Sequence, residues 1–290
     1  MRPIGNPVSS ARLGSVPVSQ CDVFWLGTVP YKTAWDLQLE VARRVAQGEI
    51  PDTLLVLEHP HVYTLGRSGH LENLLISEEE CAREGIQVEW VDRGGDITYH
   101  GPGQLVGYPI LALGTPDHAS GRLPQADYVG YLRRLERVII AAVSRFGLVA
   151  GQLPGKTGVW VQADMASRCP SCPPEKRKTP SKIASLGVKV NASGVSLHGF
   201  ALNVRPTMEY WKGIVACGLQ GYPAISMAEM LGEEAPEVKT VAETVVESFG
   251  QVFRYQMIWR AAEALGASAP VPVDPRKLSK PPQPLSRSLR

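Results

Sequence analysis

Residues 183–204 read IASLGVKV-NASG-VSLHGFALNV, two apolar runs on either side of a short polar turn. Runs rich in β-branched residues predict β-strands, and Asn191 to Gly194 predicts a hairpin turn between them. Strands joined this tightly must pair in antiparallel fashion. The hairpin therefore disfavours a doubly wound parallel sheet. It favours an α+β fold with a mixed, largely antiparallel sheet flanked by helices, which we expect on one side of the sheet.

Strand-like and helix-like segments alternate on either side of this hairpin. Further strands are predicted at short apolar runs: residues 53–58, 86–91, 105–110 and 159–161. Helices are predicted where apolar residues recur at steps of three and four: residues 33–47, 128–146 and 238–252. Asp127 can cap the start of the second helix and Gly147 can end it. Capping boxes predict two short helices, one after Ser77 with Glu80 and one after Ser226 with Glu229.

The composition is that of a folded protein with a sizeable core. Of 290 residues, 44% are hydrophobic and 20% are charged, and the net charge is +2. This balance argues against a disordered chain, and it lacks the basic stripe expected for nucleic-acid binding. No window of 18 apolar residues occurs, so we expect no membrane span. The odd number of cysteines, 5, favours a reducing compartment over a disulfide framework, and we expect a cytoplasmic location.

The domain boundaries follow from proline and charge content. Residues 1–20 predict a disordered leader, because Pro3, Pro7 and Pro17 prevent the amphipathic helix of a transit peptide. We expect residues 21–262 to form a single domain. Within it, residues 163–179 have few apolar side chains, which predicts an inserted surface loop. Residues 263–290 are rich in proline and basic residues and predict a disordered tail.

The densest candidate site is the run from Arg93 to Gln104, RGGDITYHGPGQ. Its four glycines allow the backbone to approach a ligand where a Cβ would clash. The run matches neither a P-loop nor a Gly-x-Gly-x-x-Gly fingerprint. Glycine content alone fits a tight loop between strands equally well, and the side chains of Arg93, Tyr99 and His100 favour a binding loop.

Cys217 and Lys182 form a candidate catalytic pair. A cysteine among apolar residues is most often a small buried hydrophobe, but Gly218 and Gly221 suggest an exposed loop around Cys217. Lys182, at a predicted strand end, would ordinarily be a solvated charge. A lysine ammonium beside a cysteine would stabilise the thiolate, which is the nucleophilic form.

Other histidines and cysteines are weaker candidates. His198 interrupts an apolar strand, where it is either a hydrogen-bonded core residue or a contact for a substrate carbonyl. The spacing of His59 and His61 would suit a metal pair, but no cluster of further ligands completes a site, and we predict none. Cys169 and Cys172 form a Cys-x-x-Cys pair that lacks a second pair for zinc and the βαβ context of a redox site.

Together these segments resemble the lipoyl(octanoyl) transferase family. The resemblance spans most of residues 21–255 and is carried by ordered blocks: Glu58–Pro60 with Tyr63–Arg67, Arg93–Pro109, Gly158–Trp160, Lys182–Gly187, His198–Val204 and Cys217–Gly218. The Arg-Gly-Gly and Thr-Tyr-His-Gly-Pro-Gly-Gln runs are its most specific parts. Two departures are Ala216, where the family usually has proline, and the length of the 163–179 insertion.

The resemblance implies a fold shared with biotin protein ligases and lipoate ligases, with a central pocket. It also implies that Cys217 is the acyl-thioester nucleophile and that Lys182 activates it. The implied substrate-binding residues are Arg93, Gly94, Gly95, Asp96, Ile97, Thr98, Tyr99, His100, Ser185, Leu186, Gly187, His198, Gly199 and Phe200. Backbone amides near Lys182–Gly187 or at Gly218 would be candidates for holding the tetrahedral oxyanion.

The implied activity is transfer of an octanoyl group from octanoyl-acyl carrier protein to a lysine of lipoyl domains. Acceptors in this family are the lipoyl domains of 2-oxoacid dehydrogenases and the H protein of glycine cleavage. A covalent intermediate on Cys217 would divide the transfer into two steps, so we expect ping-pong kinetics. Exchange of one thioester for another requires no ATP, and we expect no cofactor. We also expect no metal, no nucleic-acid or membrane partner, and a monomer.

Two alternatives stay open from the sequence. An ATP-dependent lipoate or biotin ligase on the same fold would require ATP and would tolerate Cys217→Ser. A non-catalytic protein that binds acyl groups or lipoyl domains would show saturable binding without covalent acylation.

Overall fold

The computed structural model of the chain describes residues 19–114, 127–164 and 174–274. Eight strands of this part form the main sheet: β1 Ser19–Thr28, β2 Asp52–Glu58, β6 Gln104–Ile110, β7 Gly151–Leu153, β8 Lys156–Val161, β9 Ser181–Val190, β10 Ser196–Asn203 and β11 Tyr255–Arg260. Their order across the sheet is β11-β1-β2-β6-β10-β9-β8-β7. Strand β1 pairs in parallel with β2 and β11, and the other neighbours pair in antiparallel fashion. The predicted mixed, largely antiparallel sheet is confirmed.

A smaller sheet of three strands lies beside the main one. It consists of β3 Val62–Leu65, β4 Gln87–Trp90 and β5 Ile97–His100, in the order β4-β3-β5. The described α-helices are α1 Tyr31–Ala46, α2 Glu78–Arg83, α3 Tyr128–Ser144, α4 Met227–Leu231 and α5 Val238–Phe253. None of the helices within the described ranges is both long enough and apolar enough to cross a bilayer.

The hairpin that joins β9 and β10 forms as predicted. Residues 184–190 of β9 pair with residues 196–202 of β10 in antiparallel register. The turn is held by Asn191, whose Oδ1 accepts the N–H groups of Ser193 and Val195 at 2.9 and 3.0 Å. Gly194 closes it with a φ of 80°, in the left-handed region that glycine tolerates.

Helices cover both faces of the main sheet, so the expectation of helices on one side was wrong. Leu54 and Val56 of β2 pack in the core cluster that contains α3 and α5. Leu55 and Leu57, which point the opposite way, pack in the cluster that contains α1. Residues 54–57 of β2 are all apolar and buried, and such a run can bury both faces of its strand.

The predicted helices and caps are confirmed. The side chain of Asp127 accepts the Gly130 N–H at the start of α3, and Gly147 follows that helix with a φ of 76°. Both predicted capping boxes are present, at Ser77 before α2 and at Ser226 before α4.

Three boundary expectations need correction. The strand β1 begins at Ser19, so residues 19 and 20 are not part of a leader. The predicted tail begins with a 3₁₀ turn, Ala262–Ser268, in which Leu265 is buried against the α1 face. The Val273 N–H donates to the Thr28 carbonyl at 2.8 Å, so this part of the tail packs on the domain. In the insertion, Lys176 is buried and paired with Glu229. Residues 1–18, 115–126, 165–173, which include Cys169 and Cys172, and 275–290 lie outside the described residues.

The close approach of β10 to β6 predicts a strong effect of a methyl group at Gly199. A Cβ there would lie 2.2 Å from the Gly107 carbonyl oxygen and 2.6 Å from Pro109 Cδ. Because one obstacle is backbone, we expect Gly199→Ala to lower the free energy of unfolding by about 1–3 kcal/mol or more. Urea unfolding followed by circular dichroism measures this difference.

The matched control is Gly151→Ala in the strand β7, where a Cβ would meet nothing within 4 Å. It should leave stability unchanged or raise it by up to about 1 kcal/mol. Equal stability of the two variants would contradict the packing described between β6 and β10.

Candidate active site

Lys182 and Cys217 meet in the structure although they are 35 residues apart in the chain. The Nζ of Lys182 donates to the Sγ of Cys217 at 3.3 Å. Lys182 lies near the start of β9, and Cys217 lies in a 3₁₀ turn, Ala216–Gly218. The contact places a cation within hydrogen-bond distance of a thiol, the arrangement that stabilises a thiolate.

The side chain of Lys182 is buried and oriented by the neighbouring strand β8. Its Nζ lies 4.8 Å from the centre of the Trp160 ring, a distance that stabilises a charged ammonium. A Cβ at Gly158 would lie 3.1 Å from the Cε of Lys182 and 3.0 Å from the Ala184 carbonyl, so glycine leaves room for the lysine. The buried Glu136 of α3 accepts the Gly158 N–H at 2.9 Å and holds this part of β8.

Cys217 adopts a left-handed backbone conformation, with a φ of 55° and a ψ of 23°. Non-glycine residues rarely adopt it, and such strain persists only where neighbouring structure enforces it. The Val215 N–H donates to the Asn73 carbonyl at 2.8 Å and so holds the preceding residues. The Gly218 N–H donates to the Val215 carbonyl at 3.0 Å, so the suggested oxyanion role of that amide finds no support in this geometry.

Cys217 is also the most accessible cysteine among the described residues. Its side chain is partly exposed, whereas Cys21 and Cys81 are buried. Burial raises the pKa of Cys81 to about 11 and that of Cys21 further still, with nearby carboxylates adding to both shifts. Thiols of this kind stay protonated and unreactive near neutral pH.

Cys217 lies in the wall of a cavity between the main and the smaller sheet. The cavity holds about 450 Å³ of space free of atoms, part of it open to solvent. Most of the predicted site residues line it: Arg93, Gly94, Gly95, Asp96, Thr98, His100, Ser185, Leu186, Gly187, His198, Gly199, Phe200 and Cys217. Four further lining residues were not predicted: Tyr31, Val106, Tyr108 and Ala201.

Two predicted substrate-binding residues, Ile97 and Tyr99, are not in the cavity wall, and neither is the predicted catalytic Lys182. Ile97 and Tyr99 pack in a core cluster with Tyr63 and Tyr210 on the other face of the strand β5. Side chains alternate between the faces of a strand, so Thr98 and His100 reach the cavity and their neighbours cannot. The glycine-rich run had suggested a loop here, but its ITYH segment is a buried strand.

Arg93 is buried and bonded to backbone and side-chain oxygens. Its guanidinium donates to the Thr64 carbonyl at 2.6 Å, to Thr64 Oγ1 at 2.8 Å and to the Gly94 carbonyl at 3.0 Å. Burial lowers the pKa of Arg93, and Tyr31 and Cys217 are among the neighbours that oppose this shift. The residue therefore shapes the glycine-rich segment and contributes positive potential near the thiol.

His198 presents an unsatisfied ring nitrogen. The backbone of His198 has a φ of 58°, and its amide N–H donates to Gln38 Oε1 at 2.7 Å. The ring Nε2 lies 2.8 Å from Asp92 Oδ1. The buried Nδ1 has no hydrogen-bond partner within the described structure. Burial lowers the pKa of His198 against the opposing effect of Asp92. A neutral ring that donates Nε2–H to Asp92 offers Nδ1 as an acceptor.

The remaining histidines of the site region act as buried hydrogen-bonding groups. His59 contacts the Val29 carbonyl at 2.7 Å and the Tyr108 hydroxyl at 2.6 Å, whereas His61 contacts the Tyr99 hydroxyl at 2.8 Å. Burial lowers the pKa of both His59 and His61 to about 4. Across residues 19–114, 127–164 and 174–274, no group of three His, Cys, Asp or Glu converges as metal ligands would.

Some residues that shape the site were missed because their partners are distant in the sequence. Tyr108 shares a face of β6 with Val106, so strand alternation could have placed both together once β6 was oriented. Asp92 directly precedes the predicted Arg93, yet only the fold shows that it bonds His198. Nothing in the sequence pattern indicated that Trp160 lies under Lys182.

Sequence comparisons agree with the motifs. A family model described as the lipoyl protein ligase A/B catalytic domain matches residues 30–250. An octanoyltransferase of Rubrobacter xylanophilus is 42% identical over 227 residues, covering 78% of this chain and 90% of that protein. One of Chloroflexus aurantiacus is 40% identical over 231 residues, covering 80% of this chain and 93% of that protein.

Solved structures share the fold at low sequence identity. A bi-partite lipoate protein ligase of Thermoplasma acidophilum, from a study of an archaeal lipoylation system, superimposes with a TM-score of 0.61 and 14% identity. The match covers 87% of this chain and 91% of that one. A lipoate-protein ligase A bound with ATP gives a TM-score of 0.60 and 14% identity over 86% of this chain and 92% of that one. The resemblance inferred from the motifs is thus confirmed, and the chain belongs to the lipoyl protein ligase A/B catalytic domain family, in which its relatives include octanoyltransferases.

Proposed function

We propose that this protein transfers an octanoyl group from octanoyl-acyl carrier protein to a lysine of lipoyl domains, through a thioester on Cys217. The observation that carries the proposal is the 3.3 Å contact between Lys182 Nζ and Cys217 Sγ beside a cavity. The names of the relatives, octanoyltransferases at about 40% identity over most of both chains, support the same acyl transfer.

In the first half-reaction, the Cys217 thiolate attacks the carbonyl carbon of the donor thioester. The new Sγ–C bond forms as the bond to the pantetheine sulfur breaks, and the departing thiolate takes a proton from the Lys182 ammonium. The ammonium therefore has two roles: it stabilises the attacking thiolate and then protonates the leaving group. Exchange of one thioester for another is close to neutral in free energy, so no ATP is required.

In the second half-reaction, the amine of the acceptor lysine attacks the acyl-Cys217 thioester. The amide bond forms, the Cys217 thiolate leaves, and the neutral amine of Lys182 accepts the proton that the nucleophilic nitrogen loses. This restores the ammonium–thiolate pair. Because one residue holds the acyl group between two substrates, the kinetics should be of the ping-pong type.

The cavity is suited to an acyl chain. Phe200, Val106, Leu186 and Ala201 contribute apolar surface, and Cys217 lies in the same wall. Acyl carrier proteins and lipoyl domains are commonly acidic, so a basic surface near the cavity would favour their docking. We further propose that the protein acts as a cytoplasmic monomer with a single catalytic domain.

The first prediction concerns the covalent intermediate. Mixing the protein with octanoyl-acyl carrier protein should add one octanoyl group, which neutral hydroxylamine removes and which is absent from Cys217→Ala. Intact mass spectrometry measures the adduct, and peptide mapping assigns it to Cys217 rather than to Cys169 or Cys172. The buried Cys81 is the internal control and should stay unmodified.

An octanoyl adduct of equal yield on Cys217→Ala would contradict the assignment of the nucleophile. An acceptor that is octanoylated at the wild-type rate by Cys217→Ala, in the presence of ATP only, would instead indicate a ligase.

The second prediction concerns the ammonium. Lys182→Met should slow acylation of Cys217 by about a hundredfold or more, the usual contribution of a positioned proton donor. Alkylation of Cys217 by iodoacetamide should also slow, because the reactive thiolate loses its neighbouring cation. Stopped-flow acylation and timed alkylation measure the two rates.

Lys156→Met is the matched control for this experiment. Lys156 also lies over an aromatic ring, with its Nζ 4.7 Å from the centre of Tyr222, so its substitution removes the same charge from a similar setting. We expect its acylation rate to stay within about threefold of wild type, the range usual for a surface charge. Equal losses in the two lysine variants would show that Lys182 has no special role.

A further inference from the structure

The turn that carries Cys217 is attached to the glycine-rich segment through Asn73. This residue ends a 3₁₀ turn, Leu71–Asn73, that the sequence motifs did not single out. Its side-chain Nδ2 donates to Asp96 Oδ2 at 2.6 Å, and its carbonyl accepts the Val215 N–H at 2.8 Å. One residue therefore bonds a carboxylate of the cavity wall on one side and the Cys217 loop on the other.

The loop is tied to the same segment at two further points. Leu74 forms an antiparallel bridge with Ile214, and the Leu75 N–H donates to the Gly213 carbonyl at 2.8 Å. Gly218, next to Cys217, lies directly on the Asn73–Asp96 pair. A Cβ at Gly218 would be 2.8 Å from Asp96 Oδ2 and 3.5 Å from Asn73 Nδ2. Val215 and Gly218, which flank the left-handed Cys217 in the turn, thus both lie against the Asn73–Asp96 pair.

The carboxylate of Asp96 is itself fully engaged. Its Oδ1 accepts the N–H groups of His70 at 2.9 Å and Ile97 at 2.7 Å, and its Oδ2 accepts from Asn73. Its side chain is only 11% exposed. Such a carboxylate is fixed in position and presents a rigid surface to the Cys217 turn, because each of its bonds involves backbone or a short side chain.

We propose that Asn73 is a positioning residue, which holds Cys217 in its strained, reactive conformation through a brace formed by Asp96, Asn73 and the Val215 N–H. This inference rests on the proposed role of Cys217 as the nucleophile. Asn73 acts through the loop and touches neither Lys182 nor the acyl group in the mechanism above. The brace orients the Cys217 Sγ toward Lys182. Loss of the brace therefore lowers the reactivity of the thiol and leaves substrate docking intact.

The test exchanges the two side chains of the brace. Asn73→Asp places two carboxylates in the contact that the amide now makes, and their repulsion should displace the loop. In Asn73→Asp/Asp96→Asn, the amide at position 96 can accept the His70 and Ile97 N–H groups through its oxygen and donate its NH₂ to the carboxylate at position 73. The double variant therefore retains every side-chain bond of the brace with the roles reversed.

We expect Asn73→Asp to reduce kcat of octanoyl transfer and the alkylation rate of Cys217 by at least about tenfold, and the double variant to be at least about threefold faster than Asn73→Asp in both. The KM for the lipoyl domain should change by less than about threefold. A change that only weakened the fold would show no such recovery.

The matched control is Asn191→Asp, in the hairpin turn. Among the residues that the structure describes, the Asn191 side chain bonds only as an acceptor, to Ser193 and Val195, and a carboxylate can replace it. It should leave both rates unchanged. Thermal melting checks that each variant is folded, and where Asn73→Asp does not fold, Asn73→Ala with the double variant gives the same comparison.

The brace is rejected if Asn73→Asp keeps both rates within threefold of wild type, or if the double variant is no faster than Asn73→Asp. Failure of the proposed function is distinguishable from this result. Transfer by Cys217→Ala at the wild-type rate rejects the nucleophile, whereas alkylation of Cys217 reports on the brace without any octanoyl transfer.

Discussion

The contact between an ammonium and a thiol, Lys182 Nζ to Cys217 Sγ at 3.3 Å, is the interaction on which the rest of the site depends. It requires a buried cation, and burial of a cation is costly unless its charge is matched. The Trp160 ring lies within cation–π distance of the Lys182 ammonium, and the Cys217 sulfur is its hydrogen-bond partner. The absence of a side chain at Gly158 then provides the space in which the lysine reaches the sulfur. The proposed reaction needs no nucleotide, because the acyl group of the donor is already activated as a thioester.

The two residues of this contact lie in different kinds of secondary structure, a strand and a short turn. Lys182 belongs to a strand near the middle of a sheet with helices on both faces, which fixes its backbone. Cys217 belongs to a short turn outside the sheet and has a strained φ of 55°. The Asp96–Asn73–Val215 hydrogen bonds connect that turn to the smaller sheet. Contacts with both sheets thus fix the position of the Cys217 sulfur. The cavity that would take the acyl chain lies between the two sheets.

Local patterns predicted the elements that local forces determine. The NASG turn, the Asp127 cap and both capping boxes depend on side chains within four residues, and all formed as expected. Strands β1, β3, β5, β7 and β11 were missed, and β5 was hidden because the glycines around ITYH suggested a loop. The alternation that turns Ile97 and Tyr99 away from the cavity follows only once that segment is known to be a strand. Three features of the site join segments that are distant in the sequence: the Lys182–Cys217 contact, the Trp160 ring under Lys182, and the brace. The motif resemblance could suggest that Lys182 and Cys217 act together, but their spacing in the sequence could not show that they meet.

The most direct test of the account is a single-turnover chase from the isolated acyl-enzyme. Protein acylated with [1-¹⁴C]octanoyl-acyl carrier protein is freed of donor by gel filtration and mixed with a lipoyl domain, and the label is followed on both proteins. The account predicts that the label leaves Cys217 for the lipoyl-domain lysine with a rate constant at least equal to the steady-state kcat. A label that stays on the enzyme, or that moves more slowly than turnover, would contradict a thioester on Cys217 as the intermediate of the reaction.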